Sequence, residues 1–416
     1  MRLASFRLLF ALTASAAMAA QPSAPPADHP VLFNTAFESG SLGLIEKLGE
    51  TEFRLHVKGQ QDARGRNRQA TWFYFRMDDV GGRQLTLHLT SFKGEYNDKP
   101  ANAPAGDWYR PVFSEDGEHW QHFKDAQWDV SADTLTFTVQ PKGNTLWVAH
   151  IPPYPYSRLL ALLGGLKGSA IARVEVIGQS VLGRDLHLVT VTNFERPAAA
   201  KKIVWLQARQ HAWECGTSFL VEGALKFVTS DDAAARQLRD EFVFKFVPLI
   251  NPDSVVRGEV RFNANGFDPN RQWDEVDLDG RRWLERNPEI WYVKKALKAQ
   301  QAEQPIAIAL NLHNTEMNEY VETMVDAEPQ QAMLHRFFER LVTTTTFDPS
   351  NPGRLRIFAG SGPANTTNSI WREAKIPMML MEQRIGPSRK LGHIVTTEER
   401  LEFGRKLIQA MAAVAR

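Results

Sequence analysis

Two residues that could bind a metal ion, His211 and Glu214, stand three positions apart in the 416-residue chain. They follow the apolar run 202–208, which has the composition of a strand, and they precede a run that predicts a helix. At the start of a helix, this spacing lets both side chains converge on one point. An imidazole and a carboxylate that converge are suitable zinc ligands. Taken alone, the pair is more typical of an exposed histidine beside a glutamate that the helix dipole stabilises.

Two more candidates follow predicted strands. The run 306–312 leads to His313, a third possible ligand, and the buried run 377–381 ends in Glu382. An α/β sheet presents its chemistry at the carboxyl ends of its strands. Three protein ligands leave one position on zinc open for water. Glu382 lies on an apolar strand that has no evident structural need for a carboxylate, so it is a candidate catalytic base.

Polar loops and neighbouring carboxylates complete the set. The loops 247–255 and 261–273 are rich in polar groups that a core would reject unless they were paired. Glu316 and Glu319 follow His313 closely and could also act as the base, although Glu316 would require the chain to turn back on itself.

Together these stretches resemble the zinc carboxypeptidases of the funnelin type, and most closely their cytosolic carboxypeptidase-like branch. The family motifs occur in order: His-x-x-Glu, Asn-Pro-Asp, an arginine followed by Asp-x-Asn-Arg-x-Trp, a strand-end histidine and a late strand-end glutamate. The resemblance implies that one zinc ion is bound by His211, Glu214 and His313, and that Glu382 is the general base. It also implies that Arg261 polarises the scissile carbonyl and that Asp268 orients His211. Asn270 and Arg271 would bind the terminal carboxylate of the substrate.

The chain departs from the family pattern at several positions. Ser254 replaces the usual glycine, and Asn314, Thr315 and Glu316 follow His313 where the family has small residues. No tyrosine occurs after Tyr320. The tyrosine with which many family members close over substrate is therefore lost or replaced by a residue between positions 360 and 371. The preferred terminal residue does not follow from the sequence.

Two groups of elements would position these residues. Residues 21–155 contain short alternating or aromatic-rich runs and an Asp116-Gly117 turn signal, which predict an all-β antiparallel sandwich domain. Its aromatic residues could form a carbohydrate platform, but on strands they more often fill a core. Prolines in the stretch 152–156 mark the domain boundary. Residues 156–416 alternate strands with helices, which predicts an α/β domain with a mixed, mostly parallel sheet flanked by helices.

Composition and the first residues indicate where the protein acts. The 49 basic and 48 acidic side chains give a net charge of +1, which provides no case for nucleic acid or an anionic membrane as a partner. Residues 1–20 combine Arg2 and Arg7, an apolar run too short to span a bilayer and an Ala-Met-Ala site, as in a secretory signal peptide. The single cysteine, Cys215, allows no intramolecular disulfide and no lipid anchor after the signal. We therefore expect a secreted, periplasmic protein without a membrane anchor.

The predicted function is a secreted zinc metallocarboxypeptidase. Its substrate would be a peptide, or a small amidated compound, with a free carboxylate. One alternative is a zinc amidohydrolase or deacylase of small N-acyl amino acids, which would also need an arginine for the carboxylate. Another is a non-catalytic binding protein that uses the sandwich for recognition. Arg271 could also form a structural ion pair with Asp268, Asp274 or Glu275 instead of binding a carboxylate. No pattern indicates an oligomeric state.

Overall fold

The computed structural model describes residues 29–96, 98–103, 105–349, 355–358 and 362–416. The predicted signal peptide, residues 1–20, and residues 21–28 lie outside these residues. Within the described part of the chain, no helix is both long enough and apolar enough to cross a membrane.

Short strands make up the N-terminal domain. In chain order they are β1 (Leu32–Asn34), β2 (Ile45–Lys47), β3 (Glu52–His56), β4 (Gln60–Gln61), β5 (Arg68–Gln69), β6 (Tyr74–Asp78) and β7 (Leu85–Thr90). They continue with β8 (Gly94–Tyr96), β9 (Lys99–Ala101), β10 (Val112–Ser114), β11 (Gln121–His122), β12 (Gln127–Asp129), β13 (Thr134–Val139) and β14 (Thr145–Ala149).

Two five-stranded sheets of this domain pack face to face. One has the order β1-β6-β14-β10-β11 and the other the order β12-β13-β7-β3-β2. In β7, every second side chain is a buried leucine, as expected when one face of a sheet covers a core. The rings of Phe33 and Phe53, one from each sheet, lie 5.1 Å apart. The predicted sandwich is confirmed, although β3 and β7 pair in parallel.

The C-terminal domain alternates strands and helices. Its strands are β15 (Ala172–Gln179), β16 (Asp185–Val191), β17 (Lys202–Ala208), β18 (Phe242–Val247), β19 (Ile306–Thr315), β20 (Tyr320–Thr323), β21 (Arg356–Ile357), β22 (Met378–Arg384), β23 (Pro387–Ser388) and β24 (His393–Ile394). Its helices are α1 (Tyr156–Gly164), α2 (Cys215–Val228), α3 (Ala233–Glu241), α4 (Pro252–Val256), α5 (Arg282–Arg286), α6 (Pro288–Glu303), α7 (Gln330–Thr344), α8 (Thr366–Ala374) and α9 (Thr397–Ala415).

An eight-stranded mixed sheet forms the centre of this domain, with the order β15-β16-β18-β17-β19-β22-β20-β21. The four central strands, β18, β17, β19 and β22, run parallel to one another. Alternate residues of β17 face opposite sides. Val204 and Leu206 join the core formed with α2 and α9, and Ile203 and Trp205 join the core formed with α6. Helices on both faces explain why these strands are almost continuously apolar and confirm the predicted architecture.

The lengths of two strands differ from the prediction. β19 continues to Thr315 and β22 to Arg384, so His313 and Glu382 lie within strands rather than at strand ends. The reason is that the two extensions pair with each other, as far as Thr315 with Arg384. The strand β20 was also not predicted from the sequence. It returns beside β22 in antiparallel register and pairs Tyr320 with Glu382. Helices α4, α5 and α8 were also not predicted.

The predicted domain boundary falls between the two sets of elements. β14 ends at Ala149 and α1 begins at Tyr156. The division at residues 155 and 156 itself stays a prediction.

Candidate active site

The three candidate metal ligands meet beside the central parallel strands. His211 follows β17, Glu214 directly precedes α2, and His313 lies in β19. All three are buried, and one potential ligand atom from each lies within 4.8 Å of the others. Nδ1 of His211 lies 2.7 Å from Oε1 of Glu214, and Nδ1 of His313 lies 3.0 Å from its Oε2. Both imidazoles therefore turn the same nitrogen towards one carboxylate.

The second nitrogen of each imidazole contacts an acceptor oxygen. Nε2 of His211 lies 3.1 Å from Oδ1 of Asp268, and Nε2 of His313 lies 3.1 Å from Oε1 of Gln210. A proton donated at Nε2 leaves the lone pair of Nδ1 facing Glu214. Metal-binding histidines are usually oriented by such a contact.

This donor set fits a zinc ion. Burial disfavours the charged form of Glu214, but His211 and His313 together lower its pKa to about 2, so the carboxylate is ionised. Burial lowers the pKa of His313 against the opposing charge of Glu214, which favours a neutral imidazole. Oε2 of Glu214 is buried and accepts no hydrogen bond from any described residue. A neutral imidazole and a carboxylate oxygen without a hydrogen bond are ligands that zinc accepts.

Glu382 lies next to this group on the adjacent strand. β19 and β22 pair in parallel register with His313 opposite Glu382, so the two side chains leave the same face of the sheet. The residue is partly exposed, but Oε2 is buried and forms no hydrogen bond with the described residues. Burial, together with the negative charges of Glu214 and Glu316, raises the pKa of Glu382 well above 4.5.

Glu316 is close enough for its charge to influence Glu382. It follows the last residue of β19 and lines a cleft that also contains Tyr96 and Trp108 of the N-terminal domain. Burial raises the pKa of Glu316 above its ordinary value as well. Two carboxylates with raised pKa values therefore lie near the candidate metal ligands.

Asp268 connects the candidate ligands to Arg261. Oδ1 accepts from Nε2 of His211, and Oδ2 accepts from Nε of Arg261 at 2.7 Å. Burial opposes ionisation of Asp268, but Arg261 and His211 hold its pKa well below the usual range. The structure thus brings Asp268 to both residues, and the roles assigned to Asp268 and Arg261 stay predictions.

Asn270 and Arg271 have different surroundings. Asn270 is buried, and its Oδ1 accepts hydrogen bonds from the backbone and the hydroxyl of Thr366 at 3.1 and 2.9 Å. Its Nδ2 lies 3.4 Å from Nε2 of His313. Arg271 is partly exposed and donates to the hydroxyl of Tyr96 at 2.7 Å. Arg271 therefore has a partly exposed guanidinium, while Asn270 has only its amide nitrogen left to donate.

Arg261 and Arg271 line a common cleft of about 430 Å³ between the two domains. Its wall includes Asp268, Arg282 and Arg286 from the C-terminal domain and Tyr96 from the N-terminal domain. The guanidinium of Arg261 lies 5.7 Å from the centre of the Tyr96 ring. No salt bridge to Asp268, Asp274 or Glu275 is seen for Arg271 among the described residues, although its charge helps to lower the pKa of Asp268. The side chain of Arg271 donates hydrogen bonds to Asn270 and Tyr96.

Several residues of the site were missed by the sequence analysis. Gln210, Asn311 and Thr366 form a buried network behind His313, in which Gln210 accepts from Asn311 at 2.7 Å and donates to Thr366 at 2.8 Å. An amide inside the apolar run of β19 was the available signal for Asn311. Tyr96 carried no such signal, because it is an exposed residue 165 positions before Arg261 in the sequence.

Two family models match the chain. Residues 162–359 match the peptidase M14 model, zinc carboxypeptidase, and residues 33–151 match the cytosolic carboxypeptidase N-terminal domain. The first match ends before Glu382, so the case for Glu382 rests on its position in the fold.

Two relatives match more than two thirds of this chain. The chain is 30% identical to cytosolic carboxypeptidase 2 of Mus musculus over 307 residues, which are 69% of this chain and 35% of that protein. It therefore spans about a third of that relative's length. It is also 28% identical to an uncharacterized protein of Zymomonas mobilis, covering 84% of this chain and 86% of that one.

Solved structures share the whole fold. A metallo-carboxypeptidase from Burkholderia cenocepacia superposes with a TM-score of 0.78 at 24% identity, covering 93% of this chain and 99% of that chain. A putative carboxypeptidase from Burkholderia mallei gives 0.77 at 25% identity, covering 94% and 98%. The arrangement of a β-sandwich before an α/β domain is thus common to these proteins.

The same comparisons contradict the predicted location. Several relatives are named cytosolic carboxypeptidases, and the N-terminal domain matches a domain of cytosolic carboxypeptidases. They point to the cytosol rather than to secretion. The prediction of a secreted, periplasmic protein is therefore wrong. The apolar residues on which it depended lie outside the described part of the chain.

Family and fold agree with each other. Both family models are of carboxypeptidases, and a structural neighbour is a metallo-carboxypeptidase, which supports a hydrolase. The M14 family depends on zinc, and the buried donors of this chain fit that ion. With its peptidase M14 domain behind a cytosolic carboxypeptidase N-terminal domain, the chain belongs to the zinc carboxypeptidases.

Proposed function

We propose that the protein is a carboxypeptidase that uses one zinc ion to release single residues from the free C-terminus of peptides. The observation that carries this proposal is the convergence of His211, Glu214 and His313 beside Glu382. Asp268 connects this group to the cleft that Arg261 and Arg271 line. Carboxypeptidases of the family act on peptides with a free C-terminus. His211, Glu214 and His313 would hold the zinc, and Asp268 and Gln210 would orient the two histidines.

The chain's own residues would carry the proton transfers. When bound, zinc lowers the pKa of a coordinated water to about 7 and polarises a carbonyl group. Glu382 would accept a proton from the attacking water and later deliver it to the leaving amine. Its raised pKa suits both steps, because a base that must also act as an acid works best with a pKa near the working pH.

Arg261 and Arg271 would act on different parts of the substrate. Arg261 is fixed by Asp268 and would donate to the oxygen of the scissile carbonyl as negative charge develops there. The partly exposed Arg271 would bind the terminal carboxylate through two parallel hydrogen bonds, a geometry that lysine cannot provide. Recognition of that carboxylate would restrict cleavage to the last peptide bond.

A peptide library tests the proposal directly. We would incubate the protein with peptides of which half have free and half have amidated C-termini, and follow the products by mass spectrometry. Loss of single residues from the free-ended peptides alone is the expected result. A zinc-loaded protein that cleaves neither half would refute the proposal. Hydrolysis of N-acyl amino acids without peptide cleavage would support the deacylase instead.

Two glutamine variants identify the base. Glu382→Gln should abolish release, since loss of a general base typically costs about a hundred- to ten-thousandfold in rate. Glu316→Gln is the matched control, because it removes a neighbouring carboxylate whose charge acts on Glu382. If Glu316→Gln were the inactive variant and Glu382→Gln the active one, the assignment of the base would be reversed.

A further inference from the structure

Gln60 of the N-terminal domain contacts the segment that carries Arg261. Its Oε1 accepts hydrogen bonds from three consecutive backbone amides, those of Val260 at 3.1 Å, Arg261 at 2.6 Å and Phe262 at 2.8 Å. Its Nε2 donates to the backbone oxygen of Phe262 at 2.9 Å and to Oε2 of Glu259 at 3.0 Å. The side chain is buried, and all of its hydrogen-bonding groups are used at this one place.

Ser254 joins the same network from the C-terminal domain. Its hydroxyl lies 2.6 Å from the backbone oxygen of Phe262 and 2.9 Å from Oε2 of Glu259. Asn251 adds a third donor to the oxygen of Phe262 at 3.2 Å. Ser254 is one of the departures from the family pattern, and a glycine at that position would have no hydroxyl for these contacts. Ser254 therefore adds hydrogen bonds that hold residues 259–262 in place.

The backbone of residues 259–262 leads directly to the cleft that Arg261 lines. Arg261 extends from it to Asp268, which in turn contacts His211. Further along, the backbone of Ala63 donates to the oxygen of Gly266 at 2.9 Å. A Cβ at Gly266 would lie 2.4 Å from that backbone nitrogen, so the two domains touch here without space for a side chain. The N-terminal domain thus contacts the loop on both sides of Arg261.

We propose that Gln60 is a positioning residue for Arg261, and that the N-terminal domain is in this way a working part of the catalytic site. The inference rests on the proposed function, because it assumes that Arg261 acts on the substrate carbonyl. Three adjacent N–H groups that lose their acceptor must find other partners, which moves the backbone of Arg261. A misplacement of about 1 Å is enough to reduce a rate by about a hundredfold.

Kinetics of Gln60→Met provide the first test. Methionine fills a similar volume but accepts no comparable hydrogen bond, so we expect kcat to fall by about tenfold to a hundredfold with KM changed less than about threefold. Gln140→Met is the matched control, because Gln140 is also a glutamine of the N-terminal domain but donates to Gly82, away from the cleft. Its kcat should equal that of the wild type. Wild-type kcat in Gln60→Met would overturn the inference.

A double-mutant cycle separates positioning from general damage to the fold. If Gln60 acts through Arg261, then Gln60→Met should cost less than about twofold in kcat once Arg261 is already alanine. The same loss in both backgrounds would show a structural effect and overturn the inference.

Amide hydrogen exchange gives a readout that does not depend on activity. The fragment that contains residues 259–263 should exchange about tenfold faster in Gln60→Met than in the wild type or in Gln140→Met. Wild-type protein that cleaves no peptide would refute the proposed function, while the exchange would still report on the Gln60 contacts. Unchanged exchange in an active protein would refute the positioning inference alone.

A second pair of variants covers the case in which Gln60→Met does not fold. Gln60→Glu retains an acceptor for the three amides but places a carboxylate oxygen against Glu259 and against the backbone oxygen of Phe262, so we expect it to lose activity. Adding Glu259→Gln removes the repulsion from Glu259 and should raise kcat at least about threefold above that of Gln60→Glu. A folded double variant that stays as inactive as Gln60→Glu would count against the inference.

Discussion

Replacement of Glu289 by glutamine should change how stability depends on pH. Glu289 lies in the first turn of α6 and is buried. Its Oε1 accepts from the backbone of Val181 at 3.1 Å, and its Oε2 accepts from Asn263 at 3.0 Å. Asn263 in turn accepts from the backbone of Phe267 at 3.0 Å, so Glu289 supports the loop between Arg261 and Asp268.

The magnitude follows from the pKa of Glu289. Burial, with a further contribution from the charge of Asp253, raises this pKa from 4.5 to about 7 against the opposing hydrogen bond from Asn263. Between these two values the folded state binds more protons than the unfolded state. The stability contributed by the neutral carboxyl is therefore fully present below about pH 4.5 and is lost as the pH rises through about 7. At about 1.4 kcal/mol per pKa unit the full loss is about 3 kcal/mol, of which about 2.5 kcal/mol falls between pH 5 and pH 8.

Urea unfolding of wild type and Glu289→Gln at about pH 5 and about pH 8 measures this loss. The free energy of unfolding of the wild type should fall by about 2.5 kcal/mol more than that of the variant over this range. The variant also loses an acceptor for Asn263 or Val181, but that cost does not depend on pH. Parallel pH profiles for the two proteins would show that Glu289 ionises normally and would refute the reasoning.

Three further outcomes follow from particular contacts. Tyr96→Phe removes the acceptor for Arg271 and should raise KM about three- to tenfold with kcat unchanged, and an unchanged KM for free-ended peptides would contradict this. Gly404→Ala should lower the free energy of unfolding by about 1 to 3 kcal/mol or more, because a Cβ there would lie 1.9 Å from the backbone oxygen of Leu220 where α9 crosses α2. Gly392→Ala is its control, since a Cβ at that position meets nothing within 4 Å, although its positive φ adds a cost of its own. Removal of metal by a chelator should abolish peptide cleavage and lower Tm, and re-addition of zinc should restore both; a Tm that does not respond to zinc would argue against a site formed by His211, Glu214 and His313.

Local patterns were enough to identify most of the elements and the candidate residues. The apolar run of β17 was predicted with its observed bounds, because a strand covered by helices on both faces must be apolar at nearly every position. His211, Glu214, His313 and Glu382 could be named because a polar group beside such a strand has no structural explanation. The order of these residues along the chain was sufficient to recognise the family.

Other features depend on contacts between residues that are distant in the sequence. The lengths of β19 and β22 depend on each other, because their last residues pair across 69 positions of sequence. The four-residue strand β20 pairs with β22, and that pairing cannot be predicted from its own short pattern. Location was predicted wrongly because a short apolar run beside two arginines was interpreted without the relatives that contradict export.

The sequence by itself determined the architecture and the ligand candidates, since both follow from hydrophobic period and from the types of residue beside the strands. Tertiary structure alone decided what surrounds them. Gln60 and Tyr96 reach Arg261 and Arg271 across about 170 to 200 intervening positions. No local pattern marks such a contact, because a hydrogen bond between two domains depends on how their surfaces pack and not on either segment alone. The N-terminal domain, which the sequence showed only as a sandwich, therefore forms one wall of the candidate active site.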